Sequence, residues 1–269
     1  MELQIENTCQ NCNREITENF CGNCGQKKFK RIDRKYISDE LQYTVVHWNK
    51  GLLYSIKKLI KNPGKTARTF VEGDRVNHYK PISSVFILSA FGAFLSVKVF
   101  GFVDVMKAQM MTTNKSMSAG FADNYVSFWM NYSSFIMLAL IPIMALFTKL
   151  AFRKWGHNYY EHIVINAYGL SCYSALSMLV VYPIMFIVKN DVQMFSNISL
   201  IATATVPIIM IWFFKGFYPE RKLTTIILRV LLIVFMFTFS FFIIIFAGTI
   251  AFAILNPDGA KALFQPKLK

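Results

Sequence analysis

Five long runs of apolar residues dominate the pattern of hydrophobic and polar positions along this chain. They lie near residues 82–103, 126–148, 163–188, 198–218 and 229–255. A helix needs roughly 20 apolar residues to cross a hydrocarbon core, so each run predicts a membrane-spanning helix. Pro142, Pro183 and Pro207 lie inside three runs, and membrane helices tolerate such prolines, each of which favours a kink. The pattern predicts a mainly α-helical, polytopic transmembrane bundle of about five spans within residues 82–269.

The segment before the bundle, residues 29–81, predicts amphipathic helices. Apolar residues first recur at helical spacing at Ile37, Leu41, Val45 and Trp48. Asp33 is the expected N-cap of this helix and Gly51 its expected end. We expect the helix to lie along the membrane surface.

A second amphipathic stretch follows at once. Its apolar face is formed by Leu52, Leu53, Ile56, Leu59 and Ile60, and its opposite face by Lys57, Lys58 and Lys61. A basic amphipathic helix of this kind suits the interface between water and lipid. Pro63 fits the first turn of a third short helix that Gly73 would end. Residues 29–81 are therefore expected to form two or three interfacial helices.

Composition supports a membrane protein and indicates its orientation. The 269 residues are 54% hydrophobic and 16% charged, with a mean hydropathy of +0.38, which is too apolar for a soluble domain. Residues 1–81 hold 15 of the 29 Lys and Arg residues, so the positive-inside rule predicts a cytoplasmic N-terminus. Five crossings place the C-terminus outside, whereas one re-entrant segment would return it to the cytoplasm.

Four cysteines near the start of the chain form two Cys-x-x-Cys pairs, and they predict a metal site. The residues are Cys9, Cys12, Cys21 and Cys24. In a reducing cytoplasm such pairs indicate metal ligation more often than disulfides, and four thiolates complete a closed tetrahedral zinc site. Gly22 and Gly25 are expected to let the second pair turn. A redox dithiol pair or an iron site are the weaker alternatives. Residues 1–28 are predicted to be a small zinc ribbon.

The net charge of +14 raises the question of nucleic-acid binding. Residues 1–81 carry 15 basic and 9 acidic groups, and the remainder carries 14 and 6, so the excess of +6 and +8 is spread over both parts. This distribution favours anionic lipid headgroups over nucleic acid. Six basic residues lie within positions 27–35, and Lys65, Arg68, Arg75 and Lys80 are expected to meet lipid phosphate.

Polar residues at the start of the third span form the second candidate site. Glu161 and His162 precede the span, and His162 and Asn166 share a helix face at i, i+4. They could bind a headgroup, a metal or a loop cation such as Arg75 or Arg153. We favour a polar latch that ties this entrance to the preceding helices. No acidic residue lies inside any predicted span, which argues against an ion-coupled pump.

The third span is the most polar of the five. Its small residues Ala167, Ser171, Ser174 and Ala175 share one face. Close helix packing requires such a face, and this is the favoured interpretation. The alternative is a path for a solute along Ser171 and Ser174.

Several motifs together resemble one family of bacterial membrane proteins. They are the two cysteine pairs, the second within Cys-Gly-Asn-Cys-Gly-Gln-Lys, then Asn62-Pro63-Gly64-Lys65, Glu72-Gly73-x-Arg75, Tyr79-Lys80-Pro81 and Tyr160-Glu161-His162. The family is similar over roughly residues 9–165, occurs mainly in Bacteroidetes-type bacteria and is known only as a domain of unknown function. The resemblance implies a cytoplasmic zinc ribbon and an inner-membrane bundle, and it implies no activity.

The sequence thus leads to three functional hypotheses. The first is a non-enzymatic inner-membrane protein whose zinc ribbon docks a protein partner or regulates the bundle, with oligomers allowed. The second is a transporter or channel subunit for a small solute or lipid, with the third span lining the path. The third is an intramembrane enzyme that uses Glu161 and His162, although two adjacent residues define no pocket.

Overall fold

The computed structural model describes residues 8–28, 31–44, 52–76, 78–113 and 119–255. Within these ranges the chain is mainly α-helical and forms no β-strand beyond two isolated bridges, Thr8 with Glu15 and Phe20 with Lys27. The helices in chain order are α1 (Arg34–Thr44), α2 (Leu52–Lys61), α3 (Pro63–Val71), α4 (Pro81–Phe94), α5 (Phe102–Thr113), α6 (Ala119–Ala151), α7 (Tyr159–Leu176), α8 (Tyr182–Ile187), α9 (Val192–Ala204), α10 (Val206–Phe217) and α11 (Leu223–Leu255).

Five helical segments of the described chain are long and apolar enough to cross a membrane, which confirms the predicted number of spans. They are Pro81–Val99, Ala119–Ala151, Tyr159–Ile187, Val192–Phe217 and Leu223–Ile243. The first extends α4 by a π-helical turn, the third joins α7 to α8 through another, and the fourth contains α9 and α10. Large Phe, Leu and Ile side chains are exposed on their outer faces, as contact with lipid tails requires. The protein is a multi-pass helical membrane protein.

Several span boundaries differ from the prediction, and two of the differences have a local cause. Gly101 adopts a left-handed φ of 66°, and Phe102 already begins α5, so the first span ends before residue 103. The fifth span begins at Leu223. The prediction began it at Arg229, because a charged residue is expected at the end of a span. The Arg229 guanidinium donates a hydrogen bond to the Ala151 carbonyl at the end of α6. That carbonyl accommodates the charge within the helix.

The three prolines differ in their effect on the spans. Pro142 lies inside the unbroken α6, whereas Pro183 follows a π-helical turn at the start of α8. Pro207 lies in the first turn of α10, where the fourth span is interrupted at Thr205. Pro207 has no N–H to donate to the carbonyl of Thr203, four residues earlier, which explains the interruption.

The helices that precede the bundle begin as the sequence predicts. The Asp33 carboxylate accepts a hydrogen bond from the Tyr36 backbone N–H at 2.8 Å and caps α1. The predicted end of this helix, with Val45, Trp48 and Gly51, lies outside the described residues. Pro63 opens α3, and the Asn62 side chain caps it by accepting from the Lys65 backbone N–H at 3.1 Å.

The α3 helix differs from the interfacial helix that we expected. Six of its nine residues are buried, because it packs against α7 and α10. Phe70 of α3, Tyr168 of α7 and Phe217 of α10 belong to the largest hydrophobic core of the described chain. The core therefore lies at the end of the bundle where the N-terminal helices meet the spans.

Candidate metal centre and its junction with the spans

The four N-terminal cysteines converge on one point. All four Sγ atoms lie within 4.8 Å of one another, and the pairs Cys9–Cys24 and Cys12–Cys21 are each 3.5 Å apart. These distances exclude disulfides, in which the sulfurs are about 2.05 Å apart. Zinc–sulfur bonds of about 2.3 Å in a tetrahedron separate the sulfurs by about 3.8 Å. The donor set and its spacing fit one closed tetrahedral metal site.

The two cysteine pairs have matching backbone turns. The Asn13 backbone N–H donates to the Cys9 carbonyl, and the Gly25 N–H donates to the Cys21 carbonyl, both at 2.9 Å. Asn13 and Gly25 both adopt a left-handed φ, of 57° and 72°. Gly and Asn are the residues that tolerate this conformation. Gly22 has no left-handed φ, so the predicted backbone role belongs to Gly25 and not to Gly22.

The protein environment already favours one thiolate. A hydrogen bond from the Arg14 backbone N–H lowers the pKa of the Cys12 thiol to about 6. Burial raises the pKa of the Cys9 thiol to about 11. A bound cation would favour the thiolate at every position, because only deprotonated cysteine ligates a metal.

Gln26 fastens the four-cysteine unit (residues 8–28) to the loop before the first span. The residue is buried, with 3% of its surface exposed. The amide Nε2 donates to the Gly73 carbonyl, and Oε1 accepts from the backbone N–H groups of Arg75 and Val76, at 3.3 and 3.0 Å. Gln26 therefore brings together two motifs that are distant in sequence. One contains the second cysteine pair, and the other contains Gly73 and Arg75.

Glu161 pairs with Arg31 rather than with Arg75 or Arg153, the partners suggested by the sequence. Arg31 Nε and Nη2 donate to the two carboxylate oxygens at 2.7 and 3.0 Å. Arg31 Nη2 also donates to the Gly156 carbonyl at 2.8 Å. Glu161 is nearly buried, with a side chain 6% exposed. This bidentate pair joins the segment after the cysteines to the start of α7.

The same carboxylate completes the N-terminal cap of α7. The Asn158 backbone N–H donates to Glu161 Oε2 at 2.6 Å, and the Glu161 N–H donates to Asn158 Oδ1 at 2.8 Å. This reciprocal arrangement is a capping box. Asn158 Nδ2 also donates to the Ile32 carbonyl at 3.1 Å. Glu161 is thus held by contacts that fix the position of α7.

His162 and Asn166 lie deeper, away from the Glu161 pair. His162 is fully buried, and neither of its ring nitrogens has a hydrogen-bond partner in the described part of the chain. Its ring is parallel to that of Phe152, with centroids 6.4 Å apart. Asn166 Nδ2 donates to Thr148 Oγ1 and to the His162 carbonyl, both at 2.7 Å. Asn166 joins α7 to α6, and no hydrogen bond among the described residues links Glu161 to His162.

The predicted headgroup residues occupy different places. Lys65 is exposed on α3. Arg75 lies inside the junction, with its guanidinium carbon 5.1 Å from the Tyr36 ring centroid and 5.8 Å from that of Phe70. Lys80 is the residue immediately before α4.

Glu40 is a buried acid that the sequence analysis missed. Its Oε1 accepts a hydrogen bond from the Ile82 backbone N–H at 2.7 Å, which caps the first span from α1. Burial raises the pKa of Glu40 to about 7, although the Ile82 hydrogen bond and the charge of Lys80 oppose the rise. The available signal was its position three residues after Ile37, on the apolar face of α1.

The bundle also contains an apolar cavity of about 420 Å³ between α6, α7, α10 and α11, which is partly open to the surface. The third span contributes Asn166, Gly169, Leu170 and Tyr173 to its wall. Ser171 and Ser174, the residues of the predicted solute path, are buried elsewhere and do not line it.

These features define a multi-pass helical membrane protein with a four-cysteine cluster at its N-terminal end. Residues 49–92 match the profile of a family described as "Protein of unknown function (DUF3667)". The matched region runs from before α2 into α4, so it contains the Asn62 cap, α3 and the Gly73 loop. No curated protein and no solved structure gives a significant match.

Proposed function

We propose that this chain is a multi-pass protein of the bacterial inner membrane whose N-terminal residues bind structural zinc and act as a cytoplasmic docking or regulatory module. One observation carries the proposal: four cysteine sulfurs within 4.8 Å of one another stand on a unit that is tied to the base of the spans. A closed four-thiolate site leaves zinc no open position for catalysis, so its role is to fold the unit. The residues around the site then form the functional surface.

The contacts around this unit support a regulatory coupling. Gln26 holds the loop that leads into the first span, and Arg31 holds the capped start of the third. A partner that moves the unit would therefore act on two spans at once. The tip of the unit is accessible, since Phe20 is 58% exposed. An exposed aromatic side chain suits contact with a partner protein.

Metal analysis of the purified full-length protein tests the zinc assignment. We expect one zinc per chain, and its loss in the Cys21→Ser and Cys24→Ser variants. Cys172→Ser is the matched control, because Cys172 is buried in α7 and not part of the cluster. Unchanged zinc content in both the Cys21→Ser and the Cys24→Ser variant would refute the metal assignment.

Site-specific photo-crosslinking in cells tests the docking role. A crosslinker at exposed Thr17 should capture one defined protein, and the Cys21→Ser substitution should abolish that product. A crosslinker at Phe235, which is 64% exposed on α11, is the control for contacts made through lipid-facing surfaces. The same product at both positions, or its survival without the cysteines, would contradict a zinc-dependent docking surface.

The buried carboxylate favours a positional role over an intramembrane enzyme. Glu161 accepts from Arg31 and from Asn158, and both interactions fix the start of α7. A general base must reach a substrate in an accessible pocket. In this proposal Arg31, Asn158 and Glu161 form the latch, in place of the set with His162 and Asn166 that the sequence suggested.

The apolar cavity supports a second candidate function, the binding or passage of a small lipophilic solute or lipid beside the third span. Its volume of about 420 Å³ falls in the range of small-molecule sites. The interrupted fourth span contributes Thr203 and Pro207 to the wall. Native mass spectrometry should detect a retained lipophile that Met144→Trp displaces by filling the cavity. Leu146→Trp, on the exposed face of α6, should leave it bound. Equal retention in both variants would remove this candidate.

A further inference from the structure

A second cavity, of about 540 Å³, lies where the four-cysteine unit, α1 and the loop before α4 meet. Gly25 and Gln26 form one wall, and Tyr36 and Glu40 of α1 form another. The loop before α4 contributes the third, through Gly73, Arg75, Val76, His78 and Lys80. Three separate parts of the chain are therefore needed to form it. A ligand in this cavity would contact all three.

The cavity wall is predominantly basic. Six Lys and Arg side chains line it: Lys27, Lys28, Arg31, Lys35, Arg75 and Lys80. Three carboxylates accompany them: Asp33, Asp39 and Glu40. Six cations against three carboxylates leave an excess of three, or of two when Arg31 is left out because it pairs with Glu161. This excess favours an anionic ligand.

Arg75 is fixed against the cavity wall by aromatic rings. Its guanidinium carbon lies 5.1 Å from the Tyr36 ring centroid and 5.8 Å from that of Phe70. Its own backbone N–H donates to Gln26 Oε1 at 3.3 Å, which couples its position to the four-cysteine unit. A stacked, planar guanidinium is pre-organised for bidentate contact with phosphate oxygens.

His78 adds a polar group that lacks a partner. The residue lines the cavity with a side chain only 2% exposed. Nε2 lies 3.4 Å from Thr69 Oγ1 and 3.7 Å from Asp74 Oδ2, and Nδ1 has no hydrogen-bond partner among the described residues. A buried nitrogen without a partner is costly. Thr69 Oγ1 donates to the Thr66 carbonyl, so it accepts from His78 Nε2–H and leaves Nδ1 of the neutral ring as an acceptor. A hydroxyl group of an organic phosphate can donate to this nitrogen.

We propose that this cavity binds the phosphate group of an organic phosphate and thereby holds the four-cysteine unit against the first span. Lys80 is the residue immediately before α4, so the cavity lies at the end of a membrane-spanning helix, where phospholipid headgroups lie. Arg75 and Lys80 bind the phosphate, and Lys28 and Lys35 complete the positive wall. The inference rests on the proposed zinc module only because the folded unit supplies one wall.

Binding measurements on the full-length protein test the proposal with two probes. Phosphatidylglycerol is titrated in detergent and followed by native mass spectrometry, and glycerol 3-phosphate is titrated as its soluble counterpart. We expect Arg75→Gln with Lys80→Gln to weaken binding of the effective probe by about tenfold or more, the effect of losing a charge-assisted hydrogen bond. Lys65→Gln is the matched control, because Lys65 is exposed and does not line the cavity.

The results distinguish a lipid headgroup from a soluble phosphate. They also distinguish failure of the phosphate site from failure of the zinc proposal. Binding of the lipid alone identifies a headgroup site, and binding of glycerol 3-phosphate identifies a soluble ligand. Zinc content is measured in every sample. If the double variant loses zinc, Lys35→Gln, an exposed α1 residue in the same wall, replaces it as the deciding variant. Unchanged affinity in a variant that retains zinc, or an equal loss in Lys65→Gln, would overturn the phosphate site while leaving the zinc proposal intact.

Discussion

Gly64 and Gly216 bring the backbones of α3 and α10 into direct contact. A Cβ atom on Gly64 would lie 2.5 Å from the Phe217 backbone nitrogen and 2.6 Å from the Gly216 carbonyl carbon. A Cβ on Gly216 would lie 3.2 Å from the Gly64 Cα. Glycine at both positions is thus what allows α3 to enter the bundle, as small residues do between membrane helices.

We predict that Gly64→Ala separates α3 from α10 and destabilises the protein by about 1–3 kcal/mol, the usual cost of overpacking. A lower apparent unfolding temperature in detergent would report this loss. Gly120→Ala is the control, because a Cβ at Gly120 meets nothing within 4 Å. Equal unfolding temperatures for both variants would show that α3 is not held by this contact.

We predict that the Arg31–Glu161 pair stabilises the start of α7. Glu161→Gln retains an oxygen for the capping box but loses the charge that pairs with Arg31. The interaction should weaken by about 1–2 kcal/mol. This value is modest because the Arg31 side chain is partly exposed to solvent. Unfolding of Arg31→Gln, Glu161→Gln and the double variant gives the coupling energy. Arg153→Gln, on an exposed residue, should have no coupling with Glu161→Gln. Additive effects of Arg31→Gln and Glu161→Gln would contradict the pair.

The sequence predicted the features that depend on local pattern. The length of apolar runs predicted the five spans, the Asp33 and Pro63 signals predicted two helix starts, and cysteine spacing predicted a convergent cluster. Each of these follows from residues that are close in the chain.

Contacts between distant residues could not be predicted in the same way. Glu161 had several cations available in the sequence, and only the packing of the segment after the cysteines selects Arg31, 130 positions away. Gly64 was visible only as part of the Asn62-Pro63-Gly64-Lys65 motif, since its role depends on Gly216 in another helix. The position of Glu40 on the apolar face of α1 could indicate burial, but its partner, the Ile82 backbone N–H at the start of α4, belongs to a later segment.

We predict that Gln26→Ala releases the four-cysteine unit from the loop before the first span without removing its metal ligands. The unit would keep its zinc, while hydrogen exchange at the Arg75 and Val76 amides would become faster, because both donate to Gln26. Gln10→Ala, at an exposed glutamine of the same unit, is the control. Unchanged exchange at these amides in Gln26→Ala would show that the side chain does not hold the loop.

We predict that stability falls as the pH rises from about 4.5 to above 7, through the titration of Glu40. Burial raises the pKa of this carboxyl group from 4.5 to about 7. A raised pKa in the folded state means that folding favours the protonated carboxyl group. Its contribution to stability is therefore complete below pH 4.5 and is lost as the pH rises through 7. The loss is on the order of 3 kcal/mol. Lys80 and Tyr36 face the same carboxyl group, and both limit the rise of its pKa.

Glu40→Gln isolates this effect, because the amide oxygen can still accept from the Ile82 N–H while the group no longer titrates. Its apparent unfolding temperature should change less between pH 5 and pH 8 than that of the unmodified protein, and should be the higher of the two at pH 8, where Glu40 is charged in its buried site. Asp39→Gln, on the exposed neighbour, should keep the original pH profile. A Glu40→Gln profile that parallels the unmodified protein would mean that another group controls the pH dependence.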